Sequence, residues 1–184
     1  MNKPLILITN DDGIAAKGLE SLVECMQKFG QVIVVAPDKP QSGMGHAITI
    51  NHPLRMKRSK LYPEIEAYST TGTPVDCVKL GIYEIAHRKP DLLVSGINHG
   101  ANFSSNVLYS GTMSAAVEGA MENIPSIGFS LCDFDEDADF TGAMKIVDEV
   151  TALVLRNEFP KHVCLNVNIP KLPASEIKGI KICK

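Results

Sequence analysis

No long hydrophobic run opens this chain of 184 residues: the first apolar stretch is Leu5 to Ile8, followed at once by the polar Thr9-Asn10-Asp11-Asp12. Four residues are too few for the core of an export signal or for a membrane span, so no membrane partner is expected. Paired cysteines are missing as well. The five cysteines stand singly at positions 25, 77, 132, 164 and 183, without a Cys-x-x-Cys or a histidine at zinc spacing. That argues against a structural zinc or a disulfide framework, and the odd count in mostly apolar surroundings reads as buried free thiols in a reducing, cytoplasmic setting. Excess positive charge is lacking too. With a formal net charge of −3 there is no electrostatic footprint for a nucleic-acid duplex, and the one basic cluster, Arg55-Met56-Lys57-Arg58-Ser59-Lys60, reads as an exposed hairpin edge protected from pairing. Internal repeats and low-complexity segments are absent from the sequence.

What is there is ordinary globular material, 45% apolar and 21% charged, of a length that suits one domain over residues 1–184. Apolar strand patterns at 5–8, 32–36, 91–95, 126–130 and 163–168 alternate with helical patterns at 15–29, 74–87, 112–123 and 140–155. This is the signature of βαβ units and a mostly parallel sheet. The stretch from Ala47 to about Ser69 breaks the rhythm and reads as a small β excursion beside the main sheet. Ile177, Ile180 and Ile182 suggest one last strand.

Chemistry gathers where predicted strands end. Asp11 and Asp12 leave the first strand together, and two adjacent carboxylates repel unless something neutralises them; a hard divalent cation such as Mg²⁺ or Mn²⁺ suits oxygen ligands. The pair also reads as a solvated turn that starts the next helix. Ser42, between glycines after the second strand, and Asn98, just past Asp91-Leu92-Leu93-Val94-Ser95, would add a hydroxyl and an amide at the same edge of an α/β sheet. Tyr109-Ser110-Gly111-Thr112 opens directly into a helix, where free amides and hydroxyls favour a phosphate, although ordinary capping explains the same residues. His46 reads as structural, His99 as a solvated loop residue or an acid–base group, and Asp76 as a helix-start charge.

These segments resemble a known family. Asn10-Asp11-Asp12-Gly13, Ala36-Pro37-Asp38-Lys39 with Gln41-Ser42-Gly43, Ser69-Thr70-Thr71-Gly72-Thr73-Pro74-Val75-Asp76-Cys77-Val78, Val94-Ser95-Gly96-Ile97-Asn98-His99-Gly100 and Tyr109-Ser110-Gly111-Thr112 follow one another as in the survival protein E (SurE) nucleotidases. The resemblance implies a Rossmann-like, three-layer αβα fold and a phosphomonoesterase that hydrolyses nucleoside 5′-monophosphates, with 3′-monophosphates also in view. It implies one divalent ion per subunit, Mg²⁺ or Mn²⁺, on Asp11, Asp12, Ser42 and Asn98, with Asp11, Asp12 and Asn98 serving catalysis. Phosphate would fall to Asn98, Ser110, Gly111 and Thr112. Members of the family continue into an arm exchanged between subunits; the expectation here is a domain lacking that extension, and a homodimer or homotetramer weakened accordingly. The rival readings are a Mg²⁺-binding receiver-like signalling module and a degenerate, non-catalytic paralogue.

Overall fold

Five consecutive buried residues form the first strand, β1 (Leu5–Thr9), in the computed structural model, which describes residues 3–135 and 137–183. Burial on both faces is what a continuous apolar run in a parallel sheet requires. The chain continues through α1 (Lys17–Met26), β2 (Gln31–Pro37), β3 (Met56–Arg58), β4 (Glu66–Thr70), α2 (Pro74–Leu80), β5 (Leu92–His99), α3 (Gly111–Met121), β6 (Ser126–Cys132), α4 (Met144–Arg156) and β7 (Cys164–Pro170). The sheet runs in the order β3-β4-β2-β1-β5-β6-β7, with only β3 antiparallel to its neighbour.

Alternation along the strands builds two cores. Ile6, Ile8, Val34, Leu92 and Val94 face α1 and α4, meeting Leu19, Leu22, Val147 and Val150. Leu5, Leu7, Ile33, Val35 and Leu93 face the opposite way, toward Cys77 and Val78 of α2 and Ala115 of α3. The result is the expected three-layer α/β architecture. From β1 the chain moves outward to β2 on one side, and after β4 it crosses back to lay β5 on the other. That reversal makes the crevice at the C-terminal ends of β1 and β5 the topological switch point, where such sheets place their sites. The paired register of Thr9 with Ser95 brings the two strand ends level.

Three expectations are corrected. The excursion does not stand beside the sheet: β4 joins it, pairing parallel to β2 from Ile33–Glu66 to Pro37–Thr70, because Ala67 is buried against the core. Only β3 is left as the excursion, and its Lys57 and Arg58 are exposed, as a charged edge should be. Residues 171–183 form no strand; Ile180 and Ile182 are 46% and 93% exposed, and an alternating pattern without a face to bury does not make a strand. The helix predicted to reach residue 87 ends at Leu80 and continues as a single π-helical turn, Gly81–Ile85. No helix among the described residues is long and apolar enough to cross a membrane.

Candidate active site

The loop after β1 is folded by its own first residue. Asn10, buried, donates from Nδ2 to the Gly13 carbonyl at 2.9 Å and accepts from the Gly13 amide at 3.2 Å, an Asx-type closure that turns the carboxylates of Asp11 and Asp12 back over the sheet end. Asp11 goes inward. It is 4% exposed, and its Oδ1 accepts a 2.5 Å hydrogen bond from the Thr112 hydroxyl. Burial, and then the neighbouring Asp12, raise its pKa from 3.8 to about 6, against the opposing hydrogen bonds from Thr112 and the backbone. Gly111, the first residue of α3, lies so close that a Cβ there would sit 2.6 Å from the Asp11 Cβ. The helix start is thus built around Asp11.

Asp12 points toward β5. Its Oδ2 is buried without a hydrogen-bond partner, and the nearest cationic candidate is His99 Nδ1 at 3.5 Å. The imidazole stands edge-on to Phe140, centroids 5.0 Å apart, and its Nε2 is also buried without a partner. Next to it, Asn98 spends both amide hydrogens on the carbonyls of His99 and Gly100, at 3.0 and 2.8 Å. Its Oδ1 is therefore turned away from those carbonyls and left as an acceptor for something else. The ladder between β5 and β6 shifts register between Ser95 and Asn98, which aims Asn98 differently from the strand below it.

Ser42 arrives on the loop after β2. Gln41 donates its amide to the Asp11 carbonyl at 2.7 Å and Gly45 donates to the Tyr109 carbonyl at 3.1 Å, so the exposed segment Ser42-Gly43-Met44 spans the gap between the acidic turn and the start of α3. At that start Ser110 caps the helix, accepting from the Met113 amide at 3.1 Å, while Ser114 donates back to the Ser110 carbonyl at 2.7 Å. Among the described residues no three histidine, cysteine, aspartate or glutamate side chains gather in a metal-binding group. A cation here would have to draw on hydroxyl and amide oxygens besides the two carboxylates. The orphaned Asp12 oxygen, the freed Asn98 oxygen and the raised Asp11 pKa fit a hard divalent ion.

Several residues around the site escaped sequence reasoning. Glu118, 3% exposed in α3, accepts from His46 Nε2 at 2.8 Å and pairs with Lys79 at 2.5 Å. Asp76 does more than favour its helix: besides closing a capping box with Thr73 it accepts from the Thr49 amide and hydroxyl. Asn102 is held by Asn166 and Asn168 of β7 and by Ser130 of β6, which roots the loop between β5 and α3. Of the cysteines, Cys25 and Cys77 are buried as expected, Cys132 and Cys164 are half-buried, and Cys183 is exposed; all five are free.

Comparisons with known proteins point one way. The family model described as "Survival protein SurE" matches residues 6–184. The 5′-nucleotidase SurE of Flavobacterium johnsoniae is 61% identical over 183 residues, covering 99% of this chain and 71% of that protein. The protein of the same name from Bacteroides thetaiotaomicron is 47% identical over 99% of this chain and 70% of its own length. Among solved structures, that of the SurE protein from Aquifex aeolicus superposes with a TM-score of 0.89 at 43% identity, over 97% of this chain and 71% of that one.

Proposed function

The chain belongs to the survival protein SurE family, and from that membership we propose how its residues serve the family's reaction. It is a nucleotidase, a phosphomonoesterase acting on nucleotides, and it is metal-dependent, as nucleotidases of this family are. The substrate reading is a nucleoside 5′-monophosphate, and the site reading is one Mg²⁺ or Mn²⁺ held by Asp11, Asp12, Ser42 and Asn98. The observation that carries it is the buried, unpartnered Asp12 Oδ2 beside an Asn98 whose amide hydrogens are both engaged. The Asp12 oxygen is desolvated without a hydrogen-bond donor, and the half-buried Asn98 keeps its Oδ1 as a free acceptor.

Bound there, a divalent ion supplies Lewis-acid chemistry and charge neutralisation for a phosphoryl group. The protein's part is orientation. Ser110 fixes the first turn of α3 as its cap, so that the amides of Gly111 and Thr112 and the positive helix end face the phosphate oxygens. Thr112 has a second duty, since its hydroxyl holds Asp11. Asn98, anchored through Nδ2 on the His99 and Gly100 carbonyls, keeps a fixed acceptor at the end of β5. His99 lies 3.5 Å from Asp12 and is placed to steady that carboxylate. The domain reading remains one unit over 1–184, the compartment reading cytoplasm, and the assembly reading a homodimer or homotetramer.

The test is phosphate release from nucleoside 5′-monophosphates with Mg²⁺ or Mn²⁺ and with EDTA. Chelator-sensitive turnover that Asp11→Asn abolishes is the expected result. Turnover that survives both EDTA and Asp11→Asn overturns the site reading.

A further inference from the structure

We propose that Glu118 is a positioning residue which, through His46, fixes the loop bearing Ser42 against the acidic turn. The proposal rests on the reading of Ser42 as a ligand of the metal. Glu118 sits in α3, not at its start, and almost no solvent reaches it. Burial alone would push its carboxyl up, but the hydrogen bonds from Lys79 and His46 outweigh that and hold it below its ordinary value. One oxygen is taken by Lys79 from α2, the other by His46 from the loop after β2. A carboxylate this buried is retained only with both oxygens satisfied, and half of that satisfaction comes from the site loop.

The loop needs such a tether. Segment 46–55 has no regular secondary structure, and it leaves Ile48 and Ile50 50% and 80% exposed, so apolar burial does not fix its place. Two buried carboxylates do. Asp76 takes the Thr49 amide and hydroxyl, the Thr73 hydroxyl donates to the Ala47 carbonyl at 2.7 Å, and Glu118 takes His46. Upstream, the Gln41 and Gly45 amides are bonded to the carbonyls of Asp11 and Tyr109, and Gly43 and Gly45 adopt φ of +76° and +58°. Between these pins only Ser42, Gly43 and Met44 are unanchored. His46, directly after the last backbone pin, sets where that short arch ends.

Calorimetric Mn²⁺ titration of the 184-residue chain reads this without turnover. His46→Ala strands one oxygen of the buried Glu118, so it should lower the thermal midpoint while leaving the chain folded at the titration temperature, as circular dichroism checks, and should weaken Mn²⁺ binding about tenfold, the scale typical when a partner of a ligand is removed. His46→Gln, which keeps a donor near the Nε2 position, should recover most of that loss. In a Ser42→Ala background, His46→Ala should cost nothing further, because the two act as one unit. Mn²⁺ binding by His46→Ala equal to that of the unaltered chain, a Gln variant no better than Ala, or additive losses with Ser42→Ala would each overturn the proposal. An unaltered chain that binds no Mn²⁺ overturns the metal-site reading as well, which separates the two failures.

Discussion

Gly111 and Asp11 touch: the Cα hydrogen of the first residue of α3 occupies the space where any side chain would strike the Asp11 Cβ and carboxylate. This contact joins the acidic turn to the helix start across 100 residues of sequence. Gly111→Ala should therefore displace Asp11 rather than unfold the protein, since an alanine is welcome in a first helical turn. Turnover should fall about a hundredfold, the scale of a 1 Å misplacement, with circular dichroism unchanged. Wild-type turnover in this variant would show that Asp11 has room to move.

Asp11 also makes the metal-free protein sensitive to pH in a definite direction. Its carboxyl is raised from 3.8 to about 6 in the folded chain, so between those values the folded state holds a proton that the unfolded state has released, and stability falls as pH climbs. The loss is complete above about pH 6 and amounts to on the order of 3 kcal/mol. In EDTA, Asp11→Asn should therefore melt higher than wild type at pH 8, with the gap closing near pH 4. Saturating Mn²⁺ should reverse the order at pH 8.

Asp76 serves two segments where Thr73 serves one helix end and one carbonyl. Removing a cap costs about 1 kcal/mol, and Asp76→Ala also strands the Thr49 amide and hydroxyl. Asp76→Ala should thus lower the midpoint of urea unfolding more than Thr73→Ala does. Equal shifts would mean that the Thr49 contacts contribute nothing.

The thiols should separate by exposure. Burial pushes Cys25 up to about 12, and burial likewise pushes up Cys77, fully enclosed on the sheet-facing side of α2. In native protein a thiol-specific disulfide reagent should modify Cys183 first and leave Cys25 and Cys77 untouched until denaturant is added. Mass mapping of labelled peptides decides it.

Much of this was legible in the sequence because parallel strands announce themselves as buried apolar runs, and their ends announce the site. Asp11, Asp12 and Asn98 are read as site candidates from those strand ends. Glu118 is not, since a glutamate in a helix ordinarily faces water, and its partners His46 and Lys79 lie 72 and 39 positions away. Nothing in Asn166 or Asn168, asparagines within a strand pattern, signals that they grip Asn102. Local alternation also misled at Ile177 to Ile182, where the face that would reward a strand is not supplied by the described residues.

The groups read as ligands come from positions 11, 12, 42 and 98, two from before the first crossover and one from after the long return to β5. A partly formed chain therefore offers no weaker version of this site. On that reading, ion capture would wait until the most distant strand pairing, β1 with β5, is complete, making it a late step in folding and a report on the whole topology.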